Sequence, residues 1–121
     1  MARVLIGTSG WTYRSWRGRF YPKYLTPPSY LSFYANSFTT TEINTSFYHL
    51  PLASSYEKWA RLVPDNFVFS IKATRFITHI RHLVNVEVSW RSFVSNALSL
   101  QSHLGPILLQ FPPSFQRTRV C

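Results

Sequence analysis

The chain has 121 residues, 45% of them apolar and 17% aromatic, and its 13 Lys and Arg outweigh 4 Asp and Glu to give a formal charge of +9. That length holds one domain with a real core and excludes two, and no stretch approaches the roughly 18 consecutive apolar residues of a membrane span. The first eight residues carry too short an apolar run for a signal-peptide core. The single cysteine, Cys121, rules out an internal disulfide, so a reducing, cytoplasmic setting is expected.

Apolar runs of period two alternate along the chain with segments of helical period. A first strand is expected over residues 3–8, followed by the aromatic loop Trp11-Thr12-Tyr13-Arg14-Ser15-Trp16-Arg17-Gly18-Arg19-Phe20-Tyr21, which has no clean period. A helix follows Pro27-Pro28, with Ser29 as N-cap and Leu31, Tyr34 and Phe38 on one face. The next strand is expected over 39–44. A second helix over 54–62, with Tyr56, Trp59, Ala60 and Val63 at helical spacing, is stopped by Pro64-Asp65-Asn66. A third strand is expected over 67–73, then a polar loop, a third helix over 89–103, and a fourth strand over 107–111 between Gly105-Pro106 and Pro112-Pro113.

The order β-α-β-α-β-α-β implies parallel pairing with right-handed crossovers. Both an open doubly wound sheet and part of a (β/α)8 barrel have that order, and the strand faces decide between them. An open sheet covered on both sides is apolar on both. Here Thr41 and Ile43 alternate with Thr40, Glu42 and Asn44, and Phe67, Phe69 and Ile71 with Val68, Ser70 and Lys72. Likewise Ile107, Leu109 and Phe111 alternate with Leu108 and Gln110, and Val4 and Ile6 with Leu5, Gly7 and Ser9. One apolar face and one face turning polar toward its C-terminal end mark a barrel lumen. The fold class is therefore α/β, a parallel (β/α) TIM-barrel-like fold. A barrel takes about 250 residues, so the chain is expected to supply about the first four of its eight strands.

That alternation projects Ser9, Glu42, Asn44, Lys72 and Gln110 inward at the carboxyl ends of the strands, where barrel enzymes carry catalytic groups. Glu42 and Lys72, on adjacent strands at matching depth, are expected to touch. Glu42 would act as acid or base, and Lys72 would stabilise negative charge or form a Schiff base. A lumen ion pair that only fills space is the competing reading. In the loop after the third strand, Arg75, His79 and Arg81 suit an anion or a proton carrier. His79 and His82 are three apart, but no carboxylate or thiolate lies nearby in sequence, so no metal site is expected. No phosphate loop, nucleophile elbow or zinc signature is present. Trp11, Tyr13 and Trp16 suit stacking on a sugar or base, with Arg14 and Arg17 near a phosphate. Alternatively they pack on one another as a lid.

Several of these segments resemble one family. Ile6-Gly7-Thr8-Ser9-Gly10-Trp11-Thr12-Tyr13, Trp16-Arg17-Gly18 with Phe20-Tyr21-Pro22, and Glu42-Ile43-Asn44 with Phe47-Tyr48 are similar to the YecE-like family, DUF72, a domain of unknown function. So are Phe69-Ser70-Ile71-Lys72-Ala73, Thr78-His79-Ile80 with Leu83, and Leu104-Gly105-Pro106 with Leu109-Gln110-Phe111-Pro112-Pro113. The resemblance implies a (β/α) barrel without an established activity, and it adds Tyr48 to the ligand-side residues. It implies a partial barrel domain over 4–115 and an unstructured tail over 116–121 that looks like a truncation.

Three functional readings follow. The first is a small-molecule enzyme or binder for a polar, sugar-like or phosphorylated ligand. Its acid/base would be Glu42, with Lys72 and His79 as the other catalytic residues and Ser9, Trp11, Tyr13, Asn44, Tyr48, Arg75 and Gln110 around the ligand. The second is a nucleic-acid-binding module using the +9 charge and the loop aromatics, with affinity falling steeply in salt. The third is a truncated product without activity of its own, prone to self-association through the open edges of its first and fourth strands. A membrane partner is not expected, and no cofactor is legible.

Overall fold

The computed structural model describes residues 2–116. Seven main elements follow one another: β1 (Gly7–Ser9), α1 (Tyr30–Tyr34), β2 (Thr40–Ile43), α2 (Ala53–Arg61), β3 (Val68–Lys72), α3 (Glu87–Ala97) and β4 (Leu104–Leu108). The strands form one sheet in the order β1-β2-β3-β4. Every neighbouring pair is parallel, so each helix is a crossover between adjacent strands. Gln116 excepted, the expected tail lies outside the described residues.

Thr41, Ile43, Phe69 and Ile71 form the buried, helix-facing side of β2 and β3. Against it pack Leu31 and Tyr34 of α1, Tyr56 of α2, and Phe93 and Ala97 of α3. Pro27 opens a 3-10 turn, Pro27–Ser29, that leads into α1, since proline's fixed φ suits a first helical position where no N–H is needed. Ser29 precedes α1 as expected but makes no side-chain capping bond. The Tyr34 hydroxyl ties β1 to β2, accepting the Thr8 N–H at 2.8 Å and donating to the Thr40 carbonyl at 3.0 Å. The Thr41 hydroxyl donates to the Thr8 carbonyl at 2.9 Å across the same pair. Where Phe67 enters β3, the buried His103 ring lies with Nδ1 2.8 Å from the Phe67 carbonyl.

Several expectations need correction. The first strand pairs only from Gly7, and Val4 and Ile6, expected to face the helices, are 82% and 73% exposed. The fourth strand begins at Leu104, three residues before its expected start, because Gly105 and Pro106 lie inside it. Opposite Phe69 and Ile71 stand Leu104 and Ile107, so β4 carries one extra residue, a bulge. Proline has no N–H for a ladder and is tolerated at a bulge. The third helix breaks after Ala97 into a 3-10 segment, within which Gln101 adopts φ 54°. The polar loop after β3 contains a wide π turn, Phe76–Ile80, whose Ile77 and Thr78 are buried.

The buried tyrosines give the fold an alkaline limit. Burial raises the Tyr56 hydroxyl to about 12. Tyr21 is driven higher by burial first, then by Tyr34 and Tyr30. An acid whose folded pKa exceeds its unfolded value, roughly 10 for tyrosine, contributes stability that is complete below the unfolded pKa. That contribution is lost as pH rises through the folded pKa. Tyrosinate absorbance is expected to lag behind that of exposed tyrosines and then rise together with the loss of the circular dichroism signal, between about pH 10 and 12. Full ionisation near pH 10 with the fold intact contradicts this.

Candidate functional site

The carboxyl ends of β1, β2 and β3 bring most of the expected site residues to one end of the sheet. Ser9 closes β1 and pairs in register with Glu42 of β2. The Ser9 hydroxyl donates to Glu42 Oε1 at 3.4 Å, and the Asn44 amide donates to the Ser9 hydroxyl. Asn44 Oδ1 is buried without a hydrogen-bond partner among the described residues. An unpaired buried acceptor is costly and calls for a donor. The loop is pinned to the same strand end, since the Gly10 N–H donates to the Glu42 carbonyl at 2.8 Å and the Tyr13 hydroxyl donates to the Ser9 carbonyl.

Two hollows meet there. A shallow one of about 390 Å³ lies on the concave side of the sheet, lined by Gly7, Ser9, Thr40, Glu42, Val68 and Ser70. A second of about 390 Å³ lies at the rim, lined by Ser9, Trp11, Tyr13, Ile43, Asn44 and Trp59. Ser9 belongs to both, so the Ser9–Glu42–Asn44 chain stands where they join.

The expected contact between Glu42 and Lys72 is absent. Register sets Ser70 opposite Glu42, so Lys72 sits one inward-facing position nearer the strand end. Its ammonium rests instead over the Phe47 ring, 4.1 Å from the centroid, a cation–π contact. The His79 ring meets the same phenyl edge-on at 5.0 Å and 89°, as does Tyr48 at 5.0 Å and 90°. The Thr78 hydroxyl lies 2.8 Å from His79 Nδ1 and fixes that ring's orientation. Phe47 thus gathers Lys72, His79 and Tyr48. Strand alternation did not reveal it, because it lies past the end of β2 in a 3-10 turn, Thr45–Phe47.

The remaining candidates are placed differently from expectation. Trp11 lines the rim hollow but is no stacking wall over the lumen. Its ring packs edge-on against Trp59 at 5.3 Å and Phe69 at 6.1 Å, on the helix-facing side of the sheet. Arg75 is exposed just before the π turn, and Gln110 is exposed two residues beyond β4. His82 stacks on Phe115 at 5.8 Å and 6°. Among the described residues no group of three His, Cys, Asp or Glu is arranged to hold a metal ion. No described helix is long and apolar enough to cross a membrane.

A parallel α/β sheet of four strands with polar side chains at its carboxyl ends defines a TIM-barrel-like scaffold. The profile described as "Protein of unknown function DUF72" matches residues 5–120, and the chain belongs to that family. It is 30% identical to the UPF0759 protein YunF of Bacillus subtilis, over 93% of this chain and 41% of that protein. The crystal structure of a DUF72 family protein from Thermotoga maritima superposes with a TM-score of 0.80 at 29% identity, over 95% of this chain and 46% of that one. A DUF72 family protein from Enterococcus faecalis gives 0.58 at 25% identity, over 75% of this chain and 39% of that one. The chain therefore spans less than half the length of these relatives.

Proposed function

We propose that the sheet end carries a binding site for a polar small molecule, sugar-like or phosphorylated, and that Glu42 is its acid/base. The Asn44–Ser9–Glu42 hydrogen-bond chain beside the unpartnered Asn44 Oδ1 carries this reading. A carboxylate held by a hydroxyl that is itself held by an amide is oriented for proton transfer, and the bare acceptor suits a ligand hydroxyl or amine. Lys72, resting on Phe47, suits charge stabilisation better than attack on a carbonyl. His79, oriented by Thr78, is the second proton carrier. Tyr13 and Tyr48 flank the ligand, and the setting is cytoplasmic. Because the relatives are more than twice as long, turnover belongs to the whole barrel.

Substituting the position equivalent to Glu42 by Gln in a full-length relative is expected to lower turnover by about 10²–10⁴-fold, the usual contribution of a general acid or base. Activity that survives the change removes that role. In this chain, a thermal-shift screen of sugars and sugar phosphates is expected to find a stabilising ligand whose effect Glu42→Gln abolishes.

A second reading, nucleic-acid binding, is favoured by the +9 charge and by Tyr13, Tyr24 and Tyr48, which are 41%, 84% and 69% exposed. It requires affinity that falls steeply with salt. Self-association through the β1 and β4 edges is suggested by the exposure of Ile6 and Leu108, and is read directly from sedimentation.

A further inference from the structure

We infer that a second site, built by the aromatic loop and sharing only Thr12 and Tyr13 with the rim hollow beside Glu42, binds the phosphate group of a small phosphorylated molecule. A cleft of about 560 Å³ is lined by Tyr13, Arg14, Arg17, Lys23, Pro27 and Tyr30. With Thr12 the lining has seven residues, of which three are cationic and none is acidic. The wider sequence supplies no counter-charge either: residues 1–41 hold five Lys and Arg (Arg3, Arg14, Arg17, Arg19 and Lys23) and no Asp or Glu. Cations gathered around one hollow raise the local positive potential, and an anion relieves their mutual repulsion.

Local structure brings the three together. Arg14–Trp16 is a 3-10 turn, and with three residues per turn the side chains at i and i+3 lie on one side. Arg14 and Arg17 therefore leave the loop in the same direction. The Arg17 N–H donates to the Arg14 carbonyl at 3.2 Å, and the Gly18 N–H donates to the Tyr21 carbonyl at 2.7 Å. Gly18 holds φ +76°, and a Cβ there would stand 3.0 Å from Lys23 Cε and 3.1 Å from Lys23 Cγ. The Lys23 stem thus crosses the bare glycine toward the arginines.

The floor of the cleft is packed before any ligand arrives. Tyr30, only 6% exposed, stacks on the wholly buried Tyr21 at 4.0 Å and 2°, and the Tyr21 hydroxyl donates to the Trp11 carbonyl. Tyr13 leans on Trp16 at 4.6 Å and leaves part of its ring exposed at the mouth. Two guanidinium forks and an ammonium recognise phosphate oxygens, and the Tyr13 ring offers a face to whatever the phosphate is attached to. A nucleic-acid backbone needs cations spread along several phosphates. Here they are confined to one hollow, which favours a mono- or diphosphate.

Calorimetric titration of the full chain with inorganic pyrophosphate at low salt tests this. Arg17→Gln and Lys23→Gln, both at exposed positions, are each expected to weaken binding by about tenfold, the equivalent of one charge-assisted contact. Arg91→Gln, on α3 and away from the cleft lining, is expected to bind like the parent. Equal weakening by Arg91→Gln would show mere net-charge attraction and overturn the inference. So would unchanged binding in the two cleft variants, or a chain that binds single-stranded oligonucleotides but not pyrophosphate. Because the cleft and the Glu42 site are probed by different substitutions, either can fail while the other stands.

Discussion

Phe69→Ala is expected to destabilise the chain by about 3–5 kcal/mol, the range for deleting a buried aromatic ring. Phe69 is wholly buried at the middle of β3. Its ring lies 4.9 Å from Phe67 and 6.1 Å from Trp11, so its removal opens a hole between the sheet and its helical cover. Neighbours fill such a hole poorly. Phe69 sits on a strand held by β2 and β4 on both sides, and Trp11 is anchored through its own carbonyl by Tyr21. A chain of this size has on the order of 10 kcal/mol of stability at best. The loss is therefore expected to remove about a third to a half of that stability and to lower the urea midpoint in proportion, with tryptophan fluorescence reporting a loosened Trp11 even before urea is added. A midpoint shifted by under about 1 kcal/mol would mean that this core does not depend on its central ring.

The two central strands were legible because their alternation is uninterrupted. Expected over 39–44 and 67–73, they run Thr40–Ile43 and Val68–Lys72, with the apolar face where the pattern put it. Outer elements obey other physics. Val4 and Ile6 alternate correctly but precede the first paired residue, and an unpaired segment buries nothing. Gly105-Pro106 has the composition of a turn, and only the register with β3 makes it a bulge inside a strand. The π turn after β3 and its following residues His82, Leu83 and Asn85, with φ of 48°, 67° and 53°, follow no side-chain period at all.

At the site, the sequence brings out residue types but not depth. Ser9, Glu42 and Asn44 converge because they share a face and neighbouring strands, which alternation predicts. The Glu42–Lys72 contact failed by one inward-facing position, since depth is set by inter-strand register and composition carries no information on it. Trp11 was misjudged for a related reason. A loop residue has no alternation to say which side of the sheet it packs on, and here Trp59 and Phe69 hold it on the helical side. Phe47 was missed because its importance lies in what rests on it.

Gly7→Ala is expected to cost about 3 kcal/mol or more, at the upper end of overpacking penalties, and to release β1 from the sheet. A Cβ on Gly7 would collide with the Thr40 carbonyl oxygen and stand 2.7 Å from its carbon. Both are backbone atoms of the paired strand, so no rotamer change makes room. Relief requires β1 to draw away from β2, and that movement breaks the Tyr34 bridge between Thr8 and Thr40 and the bond from Gly10 N–H to the Glu42 carbonyl. Ser9 then leaves Glu42, so the same methyl group dismantles the proposed acid/base while touching none of its atoms. Gly10→Ala is the control. Gly10 has φ +83°, and its added Cβ would approach nothing nearer than the Tyr13 hydroxyl at 3.5 Å, so it should cost only the left-handed backbone penalty of about 1–2 kcal/mol. Hydrogen exchange is expected to show the amides of Thr8 and Gly10 losing protection in Gly7→Ala while those of β3 keep it. Equal losses in the two variants, or protection retained at Thr8, would mean that β1 tolerates the methyl group and that close approach to Thr40 is not why glycine stands there.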